Sequence, residues 1–366
     1  MKICIVTVYN SLNYGSYLQS FALKQTLKQY SESENICFLD TKARNPLKET
    51  IYTIIKKMIS FNLKNAYFLF KKYMCFQKAV KLFSVCNDDF LLNQQDIFIF
   101  GSDEIWNISR KKFQDYPIFL GIGIPDAYWV SYAVSINTTE LKQIKENKYF
   151  IESMKNFNEI GVRDNYTLNT LKTITSKNIS LVLDPTFLLN KESYDKLEQP
   201  FYKEQEYILV YSYGHNMNKE RIKQIKLLAE LKKMKLISVG FYLDWCDESI
   251  AISPFLFLSY IKNASYIITD TFHGTVFSII YNKQFVSYGG LNIKIVEILK
   301  QFKLEIRNVH DKTILKDTFE TIIRYDEVNE LINKYKEESI QYIQKIFKKY
   351  NESKNEIHYK TKKVRG

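Results

Sequence analysis

A histidine and a glycine stand together where the chain turns from a strand into a helix, in Asp270-Thr-Phe-His273-Gly274-Thr275. The residues before them, Tyr266-Ile-Ile-Thr269, are β-branched and aromatic, as in a buried parallel strand. Asp270-Thr271 offers N-cap chemistry, and Val276, Phe277, Ile279, Ile280 and Tyr281 fill the helix that follows. Phe285-Val-Ser-Tyr288 resumes a strand. In an open α/β sheet, ligands bind beyond the carboxyl ends of the strands. A helix N-terminus there attracts anions, and a histidine there can both bind an anion and move a proton. The alternative for His273 is a structural histidine bonded to Asp270.

Other strand ends carry candidates too. Arg163 follows the short strand at 160–162, and its fork suits a carboxylate or phosphate; the plainer reading is an ion pair with Asp164 or another acid. Asp103 and Asn107 follow a strand at 97–100, where Gly101 allows a tight turn or close backbone approach. They suit sugar hydroxyls or a helix cap, and Trp106 between them reads as core. The first loop, with Asn13, Gly15 and Ser16, can present backbone N–H groups to a ligand or simply make a turn. His215 in Gly-His-Asn is a weaker candidate. No metal-ligand cluster is visible, and no cofactor is implied.

The elements that must position these residues alternate. Strands are expected at 3–8, 36–40, 97–100, 128–133, 160–164 and 180–186, with helices at 16–30, 139–156 and 165–173. Beyond a polar boundary at 190–206, strands at 207–213 and 236–240 and helices at 219–233 and 253–263 precede the His273 unit. A helix at 292–302 follows it. This is an α/β chain opening as a doubly wound sheet, with no GxGxxG. Residues 47–85 read as one long Lys-rich helical insertion. It fits a packed insertion with solvated lysines, and the same pattern fits contact with an anionic membrane surface. One or two helices at 318–350 are expected to lie across the domain junction. The tail at 351–366, with Lys360, Lys362, Lys363 and Arg365, reads as frayed.

With 366 residues, two domains are the prior, at 1–190 and 205–317. Scarce Gly (11) and Pro (6) exclude long flexible linkers. A net charge of +12 suits an anionic substrate, a membrane surface or nucleic acid. The basic residues are dispersed and no nucleic-acid-binding pattern is present, so no nucleic acid partner is expected. The 5 cysteines are scattered without CxxC, which suits a reducing, cytoplasmic setting. The N-terminus reads as a first strand rather than a signal peptide, and no stretch is apolar enough to span a bilayer.

Several stretches together resemble the polysaccharide pyruvyl transferase family: Asn13-Tyr-Gly-Ser-Tyr-Leu-Gln-Ser-Phe-Ala-Leu23, Gly101-Ser-Asp-Glu-Ile-Trp-Asn107, Ser131-Tyr-Ala-Val-Ser135, Val162-Arg163, Asp184-Pro-Thr186 and Asp270-Thr-Phe-His-Gly-Thr-Val-Phe277. They fall in the family's order. The resemblance implies two Rossmann-like domains facing a cleft, as in GT-B enzymes. It implies transfer of pyruvate from phosphoenolpyruvate to two hydroxyls of a sugar or glycan-precursor acceptor in surface polysaccharide biosynthesis, giving a ketal. In that reading His273 is the acid and Arg163 the anion clamp. Gly274, Thr275 and Lys294 complete the donor side; Asn13, Gly15, Ser16, Asp103 and Asn107 form the acceptor side. The chain departs from the family pattern at Asn137, where Gly is frequent, and at Lys294, in a segment that often holds Ser and Arg. The competing readings are a GT-B-like glycosyltransferase using a nucleotide sugar, and a non-catalytic glycan-binding or assembly protein.

Overall fold

The computed structural model describes residues 1–41, 46–87, 89–197, 199–201 and 205–365, with side chains undescribed at 46, 47, 90 and 356–365. Two wholly parallel sheets carry the fold. The first has seven strands: β1 Ile3–Val6, β2 Ile36–Leu39, β3 Val85–Cys86, β4 Ile97–Phe100, β5 Tyr128–Val134, β6 Glu159–Val162 and β7 Ile179–Leu181, in the order β3-β2-β1-β4-β5-β6-β7. The second has five: β8 Tyr207–Tyr211, β9 Lys235–Val239, β10 Glu248–Ile250, β11 Tyr266–Thr269 and β12 Gln284–Ser287, in the order β10-β9-β8-β11-β12. The central strands are apolar at every position and buried on both faces, as helices on either side of a parallel sheet require. This is the α/β architecture of two Rossmann-like halves. The boundary expected at 190–206 lies partly outside the described residues.

In each sheet the strand order reverses once, between β1 and β4 and between β8 and β11. Register fixes both points: Ile3 pairs with Ile36 on one side and Ile97 on the other, and Ile208 pairs with both Leu236 and Tyr266. Helices leave such a point toward opposite faces, which opens a crevice at the strand ends. Asn13 and Asp103 follow the first pair of strands; Tyr213 and Asp270 follow the second.

The helix Tyr14–Leu27 is buried almost all round, not only along the expected stripe. Its outer face is covered by the second half. Tyr14 stacks on Phe257 with ring centroids 4.6 Å apart, and its hydroxyl donates to the Ile252 carbonyl at 2.9 Å. Tyr17 and Phe21 meet Phe255 edge-on. Glu297, in the helix Ile293–Gln301, accepts from the backbone N–H groups of Asn165 (2.6 Å) and Tyr166 (3.2 Å). A carboxylate from one half thus sits at a helix N-terminus of the other.

Three expectations need correction. The insertion is two helices, Pro46–Ile59 and Leu63–Val80, because Phe61 turns at φ +55° and Asn62 caps the second. The helix expected at 139–156 breaks at Asn147, whose side chain caps Phe150 N–H. The segment read as a tail continues a helix: one helix runs Tyr325–Arg365, and no Gly or Pro interrupts it. That helix does cross the two halves. Tyr325 Oη donates to the Ser278 carbonyl at 3.3 Å, and Tyr342 Oη donates to the Ser131 carbonyl at 2.9 Å. The edge strands β3 and β10 were not legible, being short and only partly buried.

Replacing Tyr14 with Ala removes a fully buried ring from between the halves. The expected cost is about 3–5 kcal/mol, read by scanning calorimetry, with the largest loss in whichever transition separates the halves.

Candidate functional site

The two strand-order reversals face one another across a cleft of about 580 Å³. Asn13, Ser16, Asp103, His273 and Lys294 line it, as do Glu104, Arg110, Lys112, Tyr213, His215 and Asp270.

His273 enters from the first turn of the helix Phe272–Ile280, which Thr271 caps by accepting from Gly274 N–H at 2.9 Å. Asp270 is not its partner. That carboxylate instead accepts from Ser212 Oγ (2.9 Å) and Tyr213 N–H (3.1 Å), tying β8 to β11. His273 Nε2 lies 3.8 Å from Asp184 Oδ2, beyond hydrogen-bond reach, and is buried without a hydrogen-bond partner. Burial lowers its pKa below the ordinary 6.5; Asp184 and Asp103 pull the other way, and Arg163 and Lys294 add to the depression. The free imidazole is therefore disposed to be neutral.

Gly15 explains how the ring is placed. A Cβ on Gly15 would come within 2.1 Å of His273 Nδ1 and 2.5 Å of its Cβ. The N-terminus of the helix Tyr14–Leu27 thus lies flat against the histidine. Asn13 caps that helix, its side-chain oxygen accepting from Gly15 N–H (2.8 Å) and Ser16 N–H (3.2 Å). Gly15, expected on the acceptor side, is also the position whose missing side chain gives the ring its clearance.

Arg163 is not an open clamp. Its guanidinium donates to Asp184 Oδ2 at 3.0 Å and Asp103 Oδ1 at 3.3 Å, and stacks 4.7 Å from the Phe272 ring. Its side chain is only 3 % exposed. Asp184 uses its other oxygen to cap Thr186, so the Asp-Pro-Thr turn aims one oxygen at Arg163. Asp103 sits at φ +83°, a conformation side chains rarely adopt, and also accepts from Ser16 Oγ at 3.2 Å. Burial opposes its ionisation, but Arg163, then Lys294 and His273, outweigh that and hold the carboxyl well below its usual range.

Lys294 does reach the cleft, its ammonium 3.5 Å from Glu104 Oε2. Glu104 is buried and also meets Arg110 at 2.5 Å, Asn107 at 3.2 Å and the Asn137 amide. Burial works against its charge, yet Lys294 and Arg110 keep its pKa lowered despite Asp103. Asn137 has φ +48°, the left-handed region that favours glycine and that asparagine tolerates best after it. The departure at 137 thus keeps the backbone and adds a tie to Glu104.

Three expected residues stand away from the cleft. Asn107 is fully buried, accepting from Ser109 Oγ and Thr139 Oγ1. The N–H groups of Gly274 and Thr275 are spent within the helix cap and first turn. A Cβ at Gly274 would come 2.1 Å from Thr269 Oγ1, so this glycine serves close packing. Asp184 and Glu104 were not singled out as site residues, although both lie inside the motifs. Their role depends on partners far along the chain. Trp106 is core, as read, donating to the Phe119 carbonyl at 3.0 Å.

The family model described as polysaccharide pyruvyl transferase matches residues 13–290. No curated protein sequence matches the chain. Among solved structures, a UDP-N-acetylglucosamine 2-epimerase is similar over 96% of this chain and 96% of its own, at 9% identity and TM-score 0.54. A UDP-GlcNAc 2-epimerase from Neisseria meningitidis, bound to UDP-GlcNAc, covers 94% of this chain and 100% of its own, at 10% identity and TM-score 0.51. A trehalose-6-phosphate synthase covers 94% and 99%, at 8% identity and TM-score 0.52. These likenesses establish a GT-B-like fold.

Two measurements test the arrangement. Arg163→Ala leaves two carboxylates in a buried site without their cation and is expected to cost about 3–5 kcal/mol in a urea melt. A histidine whose pKa falls on folding contributes stability that is full above its unfolded value and lost as pH drops through the folded one. The stability of His273→Gln should therefore depend less on pH below about 6.5 than that of the parent.

Proposed function

From the chain's membership of the polysaccharide pyruvyl transferase family, we propose that it transfers pyruvate from phosphoenolpyruvate to two hydroxyls of a sugar or glycan precursor. The observation that carries the reading is the buried, unpartnered Nε2 of His273, set at the meeting of two helix N-termini in a cleft rimmed by Lys294, Arg110 and Lys112.

The donor needs two things from a protein. Its carboxylate and phosphate need positive charge, and its methylene carbon needs a proton. Burial keeps the free His273 neutral. A bound carboxylate and phosphate offset that burial and favour the imidazolium, so the donor itself prepares the acid. Protonation of the methylene makes the methyl group and leaves the neighbouring carbon electron-poor. One sugar hydroxyl adds to that carbon and gives up its proton. The second hydroxyl displaces phosphate and gives up its own, so two hydroxyl protons become one methyl hydrogen and one phosphate proton. Asp103, held ionised by Arg163, suits the alignment of a hydroxyl, with Asn13 and Ser16 beside it.

In this scheme Arg163 positions Asp103 and Asp184, and Lys294 is the cation that meets the donor. A lysine supplies a point charge rather than a fork, so the second anionic group falls to the rim cations. Two helix N-termini meeting at the cleft support this reading, since both dipoles favour negative charge there.

Calorimetric titration with phosphoenolpyruvate tests the donor, with UDP and CMP sugars as parallel ligands. Saturable binding of phosphoenolpyruvate, weakened in Lys294→Ala, is expected; binding of a nucleotide sugar alone sinks the proposal. With an acceptor in hand, His273→Gln should lower turnover by ~10²-fold or more while donor binding persists.

A further inference from the structure

We propose that the helical hairpin formed by Pro46–Ile59 and Leu63–Val80 docks this protein on an anionic lipid bilayer.

The inner side of the hairpin is anchored in the protein. Phe76 packs on Tyr14 at 5.0 Å, and Phe68 meets Tyr242 edge-on at 6.0 Å. Lys72, on the same side, donates to the Gly240 carbonyl at 2.6 Å and lies 4.5 Å from the Phe241 ring. Burial brings its pKa down to about 7. The hairpin is therefore a fixed element, and its outward side chains are not waiting for a place in the core.

Those outward side chains are apolar. Ile51, Ile55, Met58 and Ile59 are exposed at the i, i+4, i+7, i+8 spacing of one helix face. Leu63, Tyr67, Phe70 and Met74 repeat the pattern at i, i+4, i+7, i+11 on the second helix. Phe61, at the turn, is 91 % exposed and Ile59 74 %. Scattered exposed hydrophobics are ordinary, whereas two aligned rows meeting at an exposed aromatic tip mark an interaction surface.

Charge identifies the occupant. Lys56, Lys64, Lys71 and Lys78 are exposed on the same two helices, and residues 50–81 contain no Asp or Glu. The one acid of the hairpin, Glu49, lines the cleft, and an apolar face flanked by lysines complements acyl chains below a layer of anionic headgroups. A second copy of this hairpin would bring like charges together. Among the described residues no helix is long and apolar enough to cross a membrane, so the hairpin lies on the surface. Glu49, Thr50, Thr53 and Leu69 from the same hairpin line the cleft. Docking therefore sets the cleft mouth beside the bilayer. The inference does not depend on the identity of the donor.

Flotation of the full chain with vesicles tests it, using phosphatidylcholine alone and phosphatidylcholine mixed with phosphatidylglycerol. Binding to the anionic vesicles only, weakening as salt rises, is expected. The variant Lys56→Glu/Lys64→Glu/Lys71→Glu should lower partitioning at least about tenfold, and Ile59→Ser/Phe61→Ser should abolish stable insertion. All these positions are exposed, so an unchanged melting temperature separates lost binding from lost folding. No association with anionic vesicles at low salt overturns the proposal. So does unchanged binding in both variants. A concentration-dependent dimer that Ile59→Ser/Phe61→Ser dissolves, without vesicle binding, assigns the face to a second copy and overturns it as well.

Discussion

One buried cation organises the centre of this molecule. Arg163 leaves the end of β6 and draws in Asp103 from beyond β4 and Asp184 from the turn after β7. Two carboxylates and a guanidinium in a nearly dry space are stable only as a set, since any one of them alone carries an uncompensated desolvation cost. The set then fixes its neighbours. Asp103 orients Ser16, and Asp184 brings negative charge to within 3.8 Å of the histidine. The Phe272 ring lies over the guanidinium, joining the second half to a charge cluster built by the first.

The histidine depends on a different constraint, that of contact. Two helix N-termini approach so closely that only a glycine fits between the backbone of one and the imidazole of the other. Both dipoles point their positive ends into the same space. For a neutral imidazole that field costs little, and for a cation alone it is adverse. An anion arriving between them reverses the balance. An imidazolium disfavoured in the free protein is thus compatible with the donor proposed above.

How much of this could be read from the chain depends on distance along it. The strand, the Thr271 cap and the helix around His273 are local, and periodicity with N-cap chemistry places them well. Ser131-Tyr-Ala lies within β5 and Asp184-Pro-Thr just beyond the end of β7, both placed by apolar runs. Arg163 is the counter-example. Its nearest acid in sequence is Asp164, but that side chain caps its own helix at Thr167, and the true partners are 21 and 60 residues away. No spacing rule reports such a pairing. Asn107 and the N–H groups of Gly274 and Thr275 stand apart from the cleft for a related reason: local partners already engage them. Breaks at Phe61 and Asn147 were missed because a capping asparagine inside a periodic run looks like any other polar residue.

The last helix gives the molecule a schedule. Tyr342 reaches back 211 residues to the Ser131 carbonyl, and its ring lies where a Cβ on Gly161 would come within 2.6 Å. Lys345 and Lys349 close on Glu159, a buried carboxylate of β6. During synthesis the strands of the first sheet emerge long before the helix that covers them. Until residues beyond Tyr325 leave the ribosome, one flank of that sheet stays wet, and a buried-to-be glutamate keeps its water. The first half of the chain is thus written early and finished last, which ties the order of translation to the order in which the cleft can take shape.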